Sequence, residues 1–251
     1  MLENIKIIFI NIDTIALDCN EKFSDYTKNI FKQIINKDIS IVLCSNKANS
    51  LMIEKSKELG ASPIVISSNG SIIFNYNESM SIYNSPINQK ALDDIWSFCT
   101  SNDVNITLNG TYNCFKSFNT SSLSEINEEI MQIVVDTNQF EKITYLKNIV
   151  NTYNELESKN FDSFENGYKL DIVNKSNSTG SAVRKTLNYL NLNETNALCF
   201  GNTSNDLEMF EECGITVAME NSTNDLKQHA NYITSSNDND GVAEFIEEYL
   251  L

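Results

Sequence analysis

The sequence has few of the residues that mark nucleic-acid binding or zinc coordination. Lys and Arg number 18 in 251 residues against 34 Asp and Glu, which gives a formal net charge of −16. Because phosphate backbones are held by Lys and Arg, this balance argues against binding to nucleic acid or to an anionic membrane surface. There is a single histidine, His229, which argues against a histidine-based zinc site.

The cysteines and the apolar segments point to an intracellular chain. None of the six cysteines forms a Cys-x-x-Cys pair, so we expect free or buried thiols in a reducing compartment. They are Cys19, Cys44, Cys99, Cys114, Cys199 and Cys213. Glu3 and Lys6 interrupt the amino terminus, so no signal peptide is expected, and every apolar run is shorter than a membrane span. We therefore predict a cytoplasmic protein without a membrane partner.

The first part of the chain alternates between strand and helix patterns. Residues 5–10 form a near-continuous, β-branched apolar run, as expected of a strand that is buried on both faces. Further strands are predicted at residues 39–44, 63–66 and 71–76, and helices at residues 21–35 and 48–59, the second ending at Gly60. This alternation favours an α/β fold with a doubly wound parallel sheet.

The middle of the chain has a different pattern. Asn109-Gly110 and Asn166-Gly167 are strong turn signals, each flanked by strand-like segments, and they predict two hairpins. Helices are predicted at residues 89–100, 123–135 and 152–159. Hairpins with interleaved helices indicate a smaller α+β unit, distinct from the first.

The alternation of strand and helix then resumes to the end of the chain. Helices are predicted at residues 178–190, 206–212, 223–229 and 241–250, with strands at residues 196–200, 215–218 and 232–233. The simplest arrangement places the first and last segments in one sheet. We therefore predict a core of residues 1–82 and 176–251 with an inserted unit of residues 83–175.

Polar residues cluster where the predicted core strands end. The clusters are Asn11 with Asp13, Ser45-Asn46-Lys47, the helix start at Thr179-Gly180, and residues 201–206. Ligands of open α/β sheets bind at the carboxyl ends of the strands, so these clusters predict a site. The alternative is that Asn11 and Asp13 only form a strand-end turn, since both residue types favour turns.

The carboxyl-terminal motifs resemble a known family. Gly201-x-x-x-Asn205-Asp206-x-x-Met209, the following Val217-Ala218-Met219-x-Asn221, and Ser68-Asn69-Gly70 are similar to the motifs of Cof-type members of the haloacid dehalogenase-like (HAD) superfamily. These are Mg²⁺-dependent phosphatases with a large inserted cap. The resemblance implies a HAD-like Rossmannoid parallel-sheet core and an inserted α+β cap domain.

The resemblance also assigns roles to residues in the polar clusters. It places Asn11 at the nucleophile position, Asp13 at the general acid/base position and Ser45 at the phosphoryl-binding hydroxyl. Thr179 stands at the position of the lysine that, in the family, holds the phosphoryl oxygens. The implied substrate-binding residues are Ser45, Asn46, Lys47 and Asn205. The implied metal positions are Asn11, Asp13, Asn202 and Asp206.

The sequence departs from the family pattern at most of these positions, including Asn46-Lys47, where many members have Gly-Arg, and three of the departures bear directly on catalysis. Asn11 carries a neutral amide, which cannot form the aspartyl-phosphate intermediate. Asn202 replaces a metal-binding carboxylate, and Thr179 replaces the lysine. Because Mg²⁺ favours charged oxygen ligands, we expect weak or lost Mg²⁺ binding. The sequence therefore predicts a catalytically impaired relative, or pseudoenzyme, that binds a small phosphorylated molecule or none.

Two other interpretations remain open. The chain could be a Mg²⁺-dependent phosphatase with altered or weak activity that uses Asp13 or activates water with Asp206. It could also be a structural or regulatory module, with a protein partner that the sequence does not identify.

Overall fold

The computed structural model describes residues 2–14, 23–117, 119–120, 122–164 and 167–251, except the side chains of Asp13, Asn160, Asp162 and Phe164. Cys19, Asn166 and the predicted helix start at residues 21–22 lie outside this part of the chain. In the described residues, no helix is long and apolar enough to cross a membrane.

The described strands form two separate sheets. The strands are β1 (Ile7–Asn11), β2 (Ser40–Cys44), β3 (Ile64–Ser67), β4 (Ile72–Asn75), β5 (Met80–Asn84), β6 (Asn105–Gly110), β7 (Cys114–Lys116), β8 (Ile130–Thr137), β9 (Leu156–Phe164), β10 (Gly167–Asn174), β11 (Ala197–Gly201), β12 (Ile215–Met219) and β13 (Tyr232–Thr234). The core sheet has eight strands in the order β13-β12-β11-β1-β2-β3-β4-β5. The cap sheet has five strands in the order β7-β6-β8-β10-β9.

The described α-helices flank these sheets. They are α1 (Asp25–Ile35), α2 (Asn49–Leu59), α3 (Gln89–Ser101), α4 (Phe140–Asn151), α5 (Thr179–Tyr189), α6 (Leu207–Phe210), α7 (Asn224–Gln228) and α8 (Gly241–Leu250). The helix α2 ends at Gly60, which adopts a left-handed conformation (φ 64°) as predicted.

The core sheet is buried on both faces, as the packing of its central strand β1 shows. Ile8 and Ile10 pack on one side with Phe245 of α8. Ile7 and Phe9 point to the other side and pack in a cluster with residues of α5. Since side chains alternate along a strand, the continuous apolar run of β1 supplies both layers. This confirms the predicted α/β core, in which β1, β2, β3, β11, β12 and β13 pair in parallel.

The cap sheet has one apolar and one polar face. Leu108 and Ile133 belong to the apolar cluster shared with α3 and α4. Asn109, Gln132 and Asp171 are buried on strands of the same sheet but do not belong to that cluster. The antiparallel pairing of β6 with β8 and of β8 with β10 confirms the predicted α+β character of the insertion. The domain boundaries at residues 82/83 and 175/176 stay a prediction.

Two helix predictions in the cap are wrong. Residues 123–135 form a short 3₁₀ turn (Leu123–Glu125) followed by β8, not a helix. The run from residue 130 to 135 is mostly β-branched, and its side chains alternate between the two sheet faces, which helical spacing would not allow. The helix expected at residues 152–159 is also absent there, because α4 ends at Asn151 and β9 begins at Leu156.

The strand pattern also differs from the prediction at three places. Asn109 and Gly110 lie inside β6, at an irregularity of its pairing with β8, so the first hairpin turns over residues 111–113. The second hairpin, β9–β10, is confirmed and is longer than predicted. The core sheet continues past β3 through antiparallel β4 and β5, and β5 was not predicted.

Candidate active site

A polar cavity lies at the carboxyl edge of the core sheet, beneath the cap sheet. Its volume is about 440 Å³. β1, β2 and β11 all end at this cavity, which explains why their terminal residues meet there. The described lining residues are Asn11, Cys44, Ser45, Asn46, Asn69, Lys159, Thr179, Asn202, Thr203, Ser204, Asn205, Asp206 and Glu208.

Two glycines allow the start of α5 to reach this cavity. A Cβ atom on Gly70, which has a φ of 79°, would lie 2.2 Å from the carbonyl oxygen of Ser178. A Cβ atom on Gly180 would lie 2.1 Å from the carbonyl oxygen of Glu208. Only glycine permits these two approaches. They hold Thr179, the first residue of α5, between the Ser68–Gly70 turn and α6.

The buried carboxylate of Asp206 is bound by donors of the chain itself. Its Oδ1 accepts a hydrogen bond from Asn11 Nδ2 at 2.8 Å. Its Oδ2 accepts from the backbone N–H groups of Asn202 at 2.8 Å and Thr203 at 3.0 Å. Asp206 is 2% exposed, so these donors compensate for its removal from water. The carboxylate thus ties the end of β1 to the loop after β11.

Among the residues that the structure describes, the donor set does not fit a Mg²⁺ ion of the kind that the resemblance implies. Magnesium needs oxygen ligands around it, but Asn11 directs an N–H group at Asp206, the carboxylate that would have to bind the metal. Asn202 adds an amide where a carboxylate is expected. Among the described residues, no group of three or more His, Cys, Asp or Glu side chains could hold a metal ion. Weak or lost Mg²⁺ binding stays a prediction.

The end of β1 continues into a short 3₁₀ turn, Ile12–Thr14. Thr14 closes the turn because its Oγ1 donates to the carbonyl oxygen of Asn11 at 2.7 Å. Asp13 lies in this turn, and its side chain is outside the described part of the structure. The turn interpretation and the site interpretation of Asn11 therefore both apply, because the turn begins directly after Asn11, whose carbonyl oxygen accepts the hydrogen bond from Thr14, while Asn11 also lines the cavity.

The structure brings together most of the predicted substrate-binding residues. Ser45, Asn46 and Asn205 line the cavity together with Thr179. Lys47 does not belong to the described lining, although its backbone N–H donates to Ser45 Oγ at 3.1 Å. The predicted polar clusters at the strand ends therefore converge on one cavity, with Lys47 at its margin.

Two charged residues of the cavity were missed by sequence reasoning. Lys159 comes from β9 of the cap and Glu208 from α6 of the core. The Lys159 Nζ lies 3.5 Å from Glu208 Oε1 and 3.4 Å from Glu157 Oε1. Lys159 could not be found because residues 152–159 were predicted as a helix, which gave no reason for this side chain to face the core.

Cys44 lines the cavity but is not a substitute nucleophile. Burial raises the pKa of the Cys44 thiol well above its usual value. A thiol is nucleophilic only as the thiolate, so this buried, neutral thiol is unreactive at neutral pH. Cys44, Cys99, Cys114, Cys199 and Cys213 are free cysteines, as predicted for those positions.

Buried amides connect the cap to the core beside the cavity. Asn69 Nδ2 donates to Asp171 Oδ2 of β10 at 3.0 Å. Asn49 Nδ2, on α2, donates to the carbonyl oxygen of Thr111 at 2.8 Å. Because both bonds are buried, they hold the polar face of the cap sheet against the core sheet's carboxyl edge.

Comparison with known proteins identifies the family. A family profile described as haloacid dehalogenase-like hydrolase matches residues 8–246. A relative from Buchnera aphidicola subsp. Baizongia pistaciae, named "Putative phosphatase", is 28% identical over 96% of this chain and 97% of its own length. The chain belongs to the haloacid dehalogenase-like hydrolase family.

Two solved structures show the same fold. A haloacid dehalogenase-like hydrolase from Bacteroides thetaiotaomicron is 20% identical with a TM-score of 0.86, covering 97% of this chain and 99% of that one. A sugar phosphatase of HAD subclass IIB is 17% identical with a TM-score of 0.77, covering 97% of this chain and 98% of that one. The predicted Cof-type resemblance and HAD-like fold are confirmed.

Proposed function

We propose that this HAD-family chain is a pseudoenzyme that binds a small phosphorylated molecule without hydrolysing it at an ordinary rate. The observation that carries the proposal is the 2.8 Å hydrogen bond from Asn11 Nδ2 to Asp206 Oδ1. It supports the proposal because Asn11, at the position that the resemblance assigns to the carboxylate nucleophile, donates an amide N–H group to Asp206.

The chemistry of the amide supports this proposal. Attack on phosphorus requires an oxygen with negative charge, and an amide oxygen is a poor nucleophile. Removal of a nucleophile that works as part of a unit typically costs several orders of magnitude in rate. Mg²⁺, when bound in this family, offsets charge on the phosphoryl group, and the described donor set does not fit it.

The remaining groups of the cavity support ligand binding. Ser45, Asn46, Thr179 and Asn205 offer hydroxyl and amide groups, each of which both donates and accepts hydrogen bonds. Such groups can hold phosphoryl and sugar oxygens without metal. We place the protein in the cytoplasm, which the free cysteines support.

The second candidate is a phosphatase with altered or weak activity. It is favoured by the retained Ser45, Asn205 and Asp206, which line one cavity as the family pattern requires. In this candidate Asp13 would take a proton from a water molecule that attacks phosphorus, the ester P–O bond would break, and Asp13 would return the proton to the departing alkoxide.

A phosphate-release assay distinguishes the two candidates. Wild-type protein is incubated with Mg²⁺ and a panel of small phosphoesters, beside an Asp13→Ala control. The proposal predicts release at the same background rate for both proteins. Mg²⁺-dependent release by the wild type that is lost in Asp13→Ala would support the enzyme and overturn the proposal.

A further inference from the structure

Lys159 is the cationic side chain of the cavity. Among the lining residues that the structure describes, it is accompanied by two carboxylates, Asp206 and Glu208, and otherwise by uncharged side chains. Its side chain is 21% exposed. A lysine whose stem is covered and whose ammonium group borders a polar cavity is well placed to meet an anionic ligand.

The strand register directs Lys159 at the core. Lys159 pairs with Asp171 across β9 and β10. Directly opposite residues of two paired strands share a sheet face. Asp171 bonds to Asn69 of the core, so its face is the one that covers the cavity. Lys159 therefore reaches the cavity from the cap, while Thr179 lines it from the core.

Lys159 forms two long ion pairs, one with Glu157 and one with Glu208. Its Nζ lies 3.4 Å from Glu157 Oε1 and 3.5 Å from Glu208 Oε1. Charge-assisted hydrogen bonds are shorter, at about 2.7–2.9 Å. Partly exposed pairs of this kind are weak, at roughly 0.2–1 kcal/mol. A phosphoryl group in the cavity can therefore compete with both carboxylates for the ammonium group.

We infer that Lys159 binds the phosphoryl group of the ligand, supplying from the cap the positive charge that Thr179 does not supply from the core. This inference rests on the proposed function, because it assigns a residue to the phosphorylated ligand of the same cavity. Glu208 is then a competitor that holds Lys159 while the cavity contains no anion.

The test uses inorganic phosphate as the probe and calorimetric titration of the full chain. Lys159→Met should weaken phosphate binding roughly tenfold or more, the value of a hydrogen bond to a charged group. Lys159→Arg should stay within about threefold of the wild type, because the charge is kept. Glu208→Gln should strengthen binding roughly two- to fivefold, because the competing carboxylate is removed.

Lys169→Met is the matched control. It removes the same charge from the same sheet, and Lys169 is outside the described lining of the cavity. It should leave phosphate affinity within about twofold of the wild type, apart from general screening effects. The salt dependence of binding should become shallower in Lys159→Met and stay unchanged in Lys169→Met.

Several results would overturn the inference. These are equal affinity in Lys159→Met and the wild type, equal weakening in both lysine variants, weaker binding in Glu208→Gln, or no phosphate binding by the wild type. If Lys159→Met does not fold, the phosphate affinities of Lys159→Arg and Glu208→Gln test the inference instead. Phosphate release by the wild type would instead overturn the proposed function and leave the role of Lys159 standing, so the two failures are distinguishable.

Discussion

The core edge and the cap face, which meet at the cavity, differ in how they use charge. At the core edge, Asn11 stands where the family has a carboxylate, and its amide bonds to Asp206. On the cap face, Lys159 pairs with Glu208 of the core and Asp171 accepts a hydrogen bond from Asn69 of the core. The core edge supplies the two carboxylates of the described cavity lining, Asp206 and Glu208, while the cap face supplies its ammonium group, Lys159.

This difference indicates that the fold does not depend on the reaction. Asp206 is buried, and its carboxylate accepts hydrogen bonds from Asn11 and from two backbone N–H groups, so it has partners within the chain itself. Under the proposed function, the hydrogen bonds at the core edge have a structural role.

Restoring the family's residues at the core edge should have the largest effect, and the effect is on phosphate release. The triple variant Asn11→Asp, Thr179→Lys, Asn202→Asp returns two carboxylates and a lysine to the cavity. Because these groups act as a unit, phosphate release from small phosphoesters with Mg²⁺ should rise by roughly a hundredfold or more. The control adds Asp206→Ala to the triple variant and should return release to background. Unchanged release by the triple variant would show that other parts of the site limit activity.

Removing Asp206 should destabilise the protein. Asp206→Ala leaves Asn11 Nδ2 and the N–H groups of Asn202 and Thr203 without their acceptor. We expect a loss of about 3 kcal/mol in the free energy of unfolding, measured by urea denaturation. Asp225→Ala, at an exposed position of α7, is the control and should change it by less than about 0.5 kcal/mol. Equal effects would argue against a structural role of Asp206.

The hydrogen bond between Asn69 of the core and Asp171 of the cap should contribute less than Asp206 to the free energy of unfolding. Asn69 has a φ of 57° and donates to the buried Asp171. Asn69→Gly keeps this backbone conformation and removes the amide, so we expect a loss of about 1 kcal/mol in urea denaturation. Asn69→Ala should lose about 1 kcal/mol more, because a left-handed conformation is costly for alanine. If both variants match the wild type, the contact does not stabilise the cap against the core.

The smallest expected effect is on Cys44, which should not react with an alkylating reagent. Burial raises its thiol pKa, so iodoacetamide at pH about 8 should leave Cys44 unmodified although it lines the cavity. Cys114 is exposed and serves as the internal control that should be labelled first. Peptide mass spectrometry measures both rates. Labelling of Cys44 as fast as Cys114 would mean that the core edge opens to solvent.

The core could be predicted from sequence because its signals are local. The apolar run of β1, the stop at Gly60 and the polar residues after each strand all lie within a few positions of the feature they specify. The convergence of Asn11, Ser45 and Asp206 then follows from parallel pairing, since strands of one sheet end at one edge.

The cap was harder to predict because its signals depend on tertiary packing. The run that forms β8 contains enough apolar residues for either a helix or a strand, and its alternation is visible only once one face packs on α3 and α4. Lys159 and Asp171 lie on such strands, so their positions above the cavity depend on register, which short-range patterns do not determine.

Titration of the wild type with Mg²⁺, in the presence of inorganic phosphate, tests the central claim most directly. The hydrogen bond between Asn11 and Asp206 should take the place of a metal contact, so calorimetry should detect no Mg²⁺ binding by the wild type and clear binding by the Asn11→Asp, Asn202→Asp variant. Stoichiometric Mg²⁺ binding by the wild type, abolished by Asp206→Ala, would contradict the claim and restore the core edge as a metal centre.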